Sequence, residues 1–194
     1  MNGSRPKQMP SPTITHFLLF EVSRNRFALP VDAVREVLPM VALAQVSGAP
    51  RFVAGYLDVF PDEPPLPVLR LDALLDLPRD DAVPGTNTPL VVCRKTDDPP
   101  AVALIARRVE GIISASPSPL SEDAATFNGC VTGLVGSGEG ESAALVLSLP
   151  GLLLEEEKAR LRLFARIAAE RRAAVRDPGE EAESNQLSTS GEVR

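Results

Sequence analysis

The stretch FLLFEVSRNRFALPVDAVREVLP, residues 17–39, indicates the fold class of the chain. Two short apolar runs lie on either side of the polar triplet at positions 23–25, which is the pattern of a β-hairpin. Pro30 ends the second run. In residues 31–39 the first apolar positions have helical spacing, and a proline closes the segment. The sequence therefore predicts a hairpin, a short helical turn and a third strand.

Outward from this stretch, short apolar runs separated by turns continue to about residue 154. The 19 prolines lie mostly between these runs, and aromatic residues make up only 4% of the chain. Such punctuation favours many short strands over long helices, with aliphatic side chains in the core. We expect a mainly β domain of about nine or ten strands, with one short helix in the second half of residues 68–77.

One long helix is predicted to begin near positions 149–151, and its pattern is strongest over residues 155–176. Its acidic start and basic end match the helix dipole. An apolar stripe is expected at Leu161, Phe164, Ala165 and Ala168, broadened by Leu163 and Ile167. The polar residues 1–13 and the acidic residues 177–194 are predicted to be disordered tails.

Composition excludes several classes of function. The net charge of −6 argues against nucleic-acid binding, because phosphate contacts need clustered cations. The sequence contains no 18-residue apolar stretch for a membrane span and no apolar signal segment near its start. Cys93 and Cys130 are expected to be buried free thiols, so the predicted location is the cytoplasm.

No set of residues suited to catalysis is apparent. The single histidine, His16, lies in a predicted strand, where a structural role is the common one. The glycines of residues 133–142 alternate with glutamates and precede a strand, which indicates a hairpin loop rather than a phosphate cradle. The adjacent carboxylates at 62–63, 80–81 and 97–98 are expected in solvated turns. The sequence therefore predicts a binding module with no enzymatic activity, no metal and no cofactor.

The order of these segments resembles the CheW family of chemotaxis coupling proteins over residues 14–154. The matching stretches are FLLFEVSRNRFALPVDAVREVLP, VSGAPRFVAGYLDV, LPVLRLDALLDLP, AVALIARRVEGII, and VTGLV followed by ALVLSLPGLL. The resemblance implies two SH3-like five-stranded barrels related by a pseudo-two-fold axis, with the C-terminal helix added. It also implies an adaptor that couples the cytoplasmic tip of methyl-accepting chemoreceptors to a CheA-type histidine kinase, without membrane insertion.

The chain departs from the family pattern at several positions. Residues 58–61 read Asp-Val-Phe-Pro where the family has Asn-Leu-Arg-Gly, so Phe60 replaces an arginine of the docking surface. Arg70, Arg107 and Ser148 stand where the family has aspartates. Such changes in charge are expected to alter the choice of partner.

The resemblance indicates where partners would dock. The candidate docking residues are Val34, Glu36, Val37, Gly55, Tyr56, Asp58 and Phe60. The sequence leaves open whether the two valines belong to the core, and whether Phe60 is an exposed anchor or folds over the barrel. Glu36 is expected to be exposed.

Three alternatives also stay open at this stage. The helix stripe is expected to pack on the second barrel, although the basic helix end could instead contact an acidic partner or a membrane surface. The protein could be an accessory scaffold of a non-flagellar pathway, such as pilus or gliding motility or a cyclic-nucleotide output. A small-molecule sensor is the least favoured alternative, since no convergent polar set is visible.

Overall fold

A computed structural model describes residues 14–61, 63–79, 85–94, 101–120, 129–136 and 142–176. The predicted tails at 1–13 and 177–194 lie outside the described residues. So do most of the glycine-rich loop after residue 136 and the carboxylates at 80–81 and 97–98.

The N-terminal hairpin is confirmed. Strand β1 (Thr15–Val22) pairs antiparallel with β2 (Asn25–Pro30), and Val22 lies opposite Asn25. The turn therefore has two residues, Ser23 and Arg24, rather than the predicted three. Both adopt positive φ angles of 50° and 66°, which match the right-handed twist of the two strands. The Asn25 side chain donates a hydrogen bond to the Ser23 carbonyl at 3.0 Å and so supports this turn.

The next segment also follows the prediction. A 3-10 turn (Val31–Ala33) leads into strand β3 (Val34–Pro39). The remaining strands are β4 (Val53–Leu57), β5 (Leu66–Leu69), β6 (Pro89–Cys93), β7 (Ala103–Ile105), β8 (Arg108–Ala115), β9 (Ser118–Pro119), β10 (Val131–Val135) and β11 (Ala144–Leu147). The helices are α1 (Leu71–Leu74), α2 (Leu149–Leu152) and α3 (Glu155–Arg176).

The described residues thus form eleven strands, slightly more than expected. The apolar run at 101–113 contains two strands, β7 and β8, because the chain changes sheets between them. Strand β9 lies in a segment that was predicted as a loop. It consists of Ser118 and Pro119, which have no strand periodicity of their own, and it forms by pairing with β10.

The strands form two sheets with the same internal plan. Their orders are β8-β1-β2-β11-β10-β9 and β3-β6-β7-β5-β4. Each sheet contains one antiparallel hairpin whose second strand also pairs in parallel with another strand. In the six-stranded sheet the hairpin is β1–β2, and β2 pairs with β11. In the five-stranded sheet the hairpin is β6–β7, and β7 pairs with β5. Strand β3 follows the β1–β2 hairpin in the chain but pairs with β6 of the other hairpin, and β8 follows the β6–β7 hairpin but pairs with β1. This exchange relates the two halves by an approximate two-fold repeat.

The repeat extends to irregular features. A register shift leaves Arg35 unpaired in β3, and an equivalent shift leaves Glu110 unpaired in β8. Gly133 in β10 lies against the paired strand β9, and Gly55 in β4 lies against the segment around Ala44, which forms an antiparallel bridge to Tyr56. Both glycines lack room for a side chain, because a Cβ would lie within 3 Å of that neighbouring segment.

The main core joins the two sheets. It contains Phe20, Phe27, Leu29, Leu69, Leu104 and the fully buried Leu161 of α3, among other residues. The rings of Phe20 and Phe27 lie 6.0 Å apart on the paired strands β1 and β2. Because side chains from both sheets and from α3 share this one cluster, the described part of the chain packs as a single unit.

Helix α3 packs along the five-stranded sheet, which is built from residues 34–105 in the middle of the chain. Leu161 and Ala168 are buried, and Phe164, Ala165 and Ile167 are half-buried. The predicted broadening of the stripe by Leu163 is wrong, because that side chain is 45% exposed. The acidic start has a local role: Glu157 accepts a hydrogen bond from the Leu154 amide at 2.8 Å, and Glu155 pairs with the buried Lys158 at 2.7 Å.

Candidate docking surface

Strand β3 presents alternate residues outward, at the edge of the five-stranded sheet. Val34 is buried and belongs to the main core, so its predicted contact with a partner is not supported by its position. After the register shift at Arg35, Glu36 is half-buried and Val37 is 41% exposed. Arg35 and Val37 are both exposed to solvent.

Two residues predicted to dock partners lie in the interior. Tyr56 has no exposed surface, and Gly55 is covered by Leu43 and Gln45. Tyr56 lies beneath α3, in a small cluster with Val46 and Ala168. Their positions do not support direct contact with a partner, because the segment around Ala44 covers Gly55 and α3 covers Tyr56.

Asp58 is at the surface, at the beginning of the connection between β4 and β5. Its carboxylate accepts a hydrogen bond from Nη1 of Arg172, which comes from the last turns of α3. The other nitrogen of Arg172, Nη2, donates to the Glu63 carbonyl at 3.1 Å. One guanidinium thus joins α3 to two points of the connection.

Phe60 is partly folded over the barrel and partly exposed, so it combines the two alternatives that the sequence left open. Its ring packs partly against the cluster of Leu57, Leu66 and neighbouring residues. Its outer face carries the guanidinium of Arg35, with Cζ 4.0 Å from the ring centre. Nη1 of Arg35 also donates to both carboxylate oxygens of Glu63, at 2.8 and 2.9 Å.

The residues of these contacts, with their exposed neighbours in the sequence, define what we call the β3 surface: Arg35, Glu36, Val37, Asp58, Val59, Phe60 and Glu63. Nε of Arg35 lies 3.2 Å from Oε1 of Glu36 on the same strand, and the contacts of Arg35 with Phe60 and Glu63 link β3 to the connection between β4 and β5. Val37 and Val59 are exposed by 41% and 42%. A charged network beside exposed aliphatic side chains is typical of a protein interface rather than of a catalytic centre.

Sequence reasoning missed three contributors to this region: Arg35, Glu63 and Arg172. The two-residue period of β3 could have indicated Arg35, which alternates with the buried Val34. No local signal points to Arg172, because it reaches Asp58 across more than a hundred residues of chain.

Two of the family departures have local structural roles. Arg70 and Ser148 both precede short helices, α1 and α2, at equivalent points of the two halves. The Ser148 hydroxyl accepts a hydrogen bond from the Gly151 amide at 3.4 Å, so serine keeps the capping function that aspartate also performs. Arg70 pairs instead with Asp72 at 2.7 Å. Both positions therefore have partners within the fold.

The third departure, Arg107, belongs to a charge network at the end of β1 and the beginning of β8. Glu21 pairs with Arg107 at 3.0 Å and with Arg108 at 3.1 Å. Glu110 pairs with Arg26 at 2.7 Å. An arginine at position 107 is therefore accommodated by the carboxylate of Glu21 on the neighbouring strand.

The other titratable groups do not assemble into a site among the described residues. Cys93 and Cys130 are buried free thiols, as predicted. Burial raises the pKa of the Cys93 thiol to about 12, and it also raises the pKa of Cys130, against the opposing effect of a backbone hydrogen bond. His16 is exposed in β1. Within the same part of the chain, we find no group of three metal-ligating side chains and no helix long and apolar enough to cross a membrane.

Comparison with known proteins agrees with this fold. The scaffolding protein TtCheW from Thermoanaerobacter tengcongensis superposes with a TM-score of 0.63 at 15% sequence identity, covering 80% of this chain and 96% of that one. The likeness confirms the predicted pair of SH3-like barrels with a C-terminal helix. A search of curated proteins found no match. The model of the CheW-like domain matches residues 16–157, most of the chain, and the protein therefore belongs to the CheW-like family.

Proposed function

We propose that this protein is a non-enzymatic adaptor in chemotaxis-type signal transduction, coupling chemoreceptors to a CheA-type histidine kinase. The observation that carries the proposal is the family match over residues 16–157, together with an interface-like surface where the family resemblance implies docking.

The β3 surface is the proposed docking site. Its exposed valines, Val37 and Val59, supply apolar area, and Arg35 on Phe60 supplies an oriented cation. A guanidinium held by a ring and two carboxylates loses little side-chain entropy on binding, which favours affinity. The carboxylates of Glu36 and Glu63 surround it and would select against partners with an acidic contact surface.

The same arrangement favours a specialised member of the family. Position 60 carries an aromatic side chain instead of the arginine that the family resemblance implies, and the cation comes from Arg35 instead. We infer that the kinase partner carries a compensating change in its contact surface. An accessory scaffold of a non-flagellar chemosensory pathway therefore remains the second candidate.

The test is reconstitution from purified components. The full-length protein is mixed with the CheA-type kinase and a receptor cytoplasmic fragment from the same organism, and complexes are resolved by size-exclusion chromatography. We expect a complex of all three components that depends on this protein. If the protein co-elutes with neither component at micromolar concentrations, the coupling function is wrong. A complex formed only with a kinase of another chemosensory pathway would identify the accessory role.

A further inference from the structure

The last turns of α3 cover a part of the five-stranded sheet next to the β3 surface. Val46 and Tyr56 are buried in a cluster with Ala168, and Phe164 and Ile167 pack at its edge. The family match ends at residue 157, whereas α3 continues to Arg176. These turns therefore lie beyond the matched family domain, and they pack on the strand where the resemblance implies docking residues.

Burial of Tyr56 beneath α3 costs free energy. The Tyr56 hydroxyl is buried and has no hydrogen-bond partner among the described residues. A buried donor without a partner costs free energy that is recovered when the group meets solvent or another acceptor. The closed position of α3 is thus opposed by Tyr56, the residue at the centre of the covered patch.

The apolar contact that α3 makes beyond Leu161 is also small. Ala165 and Ala168 contribute only methyl groups, and Phe164 and Ile167 stay half-buried. Residues 164–176 contain neither glycine nor proline, so opening would proceed by unwinding of the last turns rather than at a hinge. Helical segments of this length are marginal in water once their packing is lost.

One ion pair fastens the cover to the docking region. Arg172, 19% exposed, binds the Asp58 carboxylate and the Glu63 carbonyl. Asp58 and Glu63 belong to the β3 surface, so a partner approaching that surface competes with Arg172 for the same groups. The ion pair of Arg172 and the docking site are therefore coupled directly, because both use Asp58 and Glu63.

We propose that residues 164–176 form an autoinhibitory strap, which covers Val46 and Tyr56 and is displaced when a partner binds. The inference rests on the proposed function and names the CheA-type kinase as the partner. The uncovered patch is apolar, with one carboxylate and one phenolic hydroxyl. It fits a kinase segment that offers aliphatic side chains to Tyr56, a cation to Asp58 and an acceptor to the hydroxyl.

The strap can be tested without a partner, because Tyr56 is the single tyrosine and the chain has no tryptophan. Acrylamide quenching of tyrosine emission then reports the exposure of this one ring. We expect stronger quenching in Arg172→Ala than in the native protein. Arg171→Ala, which removes the same charge from an exposed neighbouring position, is expected to leave quenching unchanged.

Asp58→Asn breaks the same ion pair from the sheet side and leaves the helix sequence intact. It is expected to raise quenching as Arg172→Ala does. Equal quenching in the native protein, in Arg172→Ala and in Asp58→Asn would overturn the strap, because the ion pair would then have no influence on the exposure of Tyr56. Circular dichroism of each variant verifies that the β domain stays folded.

Calorimetry with the purified kinase tests the functional part. Loss of this partly exposed ion pair makes the strap easier to displace, so the affinity of Arg172→Ala for the kinase should rise by at least about threefold. The affinity of Arg171→Ala should equal that of the native protein. Equal or weaker binding by Arg172→Ala overturns the strap while the coupling function stands. If none of the three proteins binds the kinase, the proposed function itself fails.

Discussion

The guanidinium of Arg35 lies over the ring of Phe60, with Cζ 4.0 Å from the ring centre. The arginine comes from β3 and the ring from the connection between β4 and β5, so the contact joins two elements of the five-stranded sheet. Glu63 holds the same guanidinium from the side. The cation of the proposed docking surface therefore depends on Phe60 as its support.

Replacing Phe60 should affect binding more than stability. Phe60→Ala removes the support of Arg35 and a half-buried anchor, and we expect kinase affinity to fall by about tenfold. Phe60→Leu keeps much of the packing but loses the cation–π contact, worth about 0.5–1 kcal/mol, so its affinity should lie between the two. Calorimetry measures both, and unchanged affinity in folded Phe60→Ala would remove Phe60 from the docking site.

Charge reversal at Glu36 tests the electrostatic part of the same surface. Glu36→Lys replaces an ion pair with Arg35 by repulsion, since the two groups lie 3.2 Å apart. We expect weaker kinase binding, by about tenfold at low salt, with a smaller effect at high salt.

Glu156→Lys is the matched control for this change, because it makes the same reversal at an exposed position on α3. Its affinity should equal that of the native protein. Equal losses in the two variants would show that net charge, and not the β3 surface, controls binding.

Sequence periodicity was sufficient for the elements that carry their own pattern. The hairpin, the 3-10 turn before β3 and the long α3 helix follow from local spacing and turn residues. The pairing of β3 with β6 and of β8 with β1 was not readable in this way, because both strands leave the sheet of the preceding hairpin. Strand β9 was missed for a related reason, since its two residues are ordered only by β10.

The candidate site was predictable in position and less so in detail. The resemblance indicated β3 and the segment around residue 58, and Glu36, Val37, Asp58 and Phe60 do lie at or near the surface there. Tyr56 was misplaced, because its burial depends on α3, more than a hundred residues later in the chain. Contacts of such sequence separation leave no periodic signal, which is also why Arg172 escaped notice.

Ser148 offers a test of the capping role assigned above. Ser148→Ala removes the acceptor for the Gly151 amide and should lower the free energy of unfolding by about 0.5–1 kcal/mol. Ser148→Asp introduces the residue that the family resemblance implies, which also caps helices, and it should retain native stability. Urea denaturation distinguishes the two, and an Ala variant as stable as the native protein would contradict the cap.

Gly133 tests the close pairing of β9 with β10 in the six-stranded sheet. A Cβ at this position would lie 2.8 Å from the Ser118 carbonyl oxygen, which is a backbone atom and cannot rotate away. Gly133→Ala should therefore cost about 1–3 kcal/mol in unfolding free energy. Gly136→Ala, where a Cβ would meet no atom of the described residues within 4 Å apart from its chain neighbours, should change stability by less than about 0.5 kcal/mol. Equal stabilities of the two variants would place β9 away from β10.

The buried thiol of Cys93 predicts a loss of stability in alkaline solution. Burial raises its pKa from 9.0 to about 12, so between these values the unfolded chain releases a proton that the folded protein keeps. The folded state then binds more protons, and the free energy of unfolding must fall as the pH rises above 9. We expect Cys93 to contribute a loss of roughly 1–2 kcal/mol between pH 8 and pH 10.5.

The variant Cys93→Ala isolates this contribution, because every other group titrates equally in both proteins. Tyr56, whose pKa burial raises to about 12, adds a loss of the same sign to each. Urea denaturation at the two pH values should therefore give a smaller decrease for Cys93→Ala than for the native protein. Identical decreases would mean that the thiolate forms in the folded protein as readily as in the unfolded chain. That result would be incompatible with a side chain 2% exposed in the main core between the sheets.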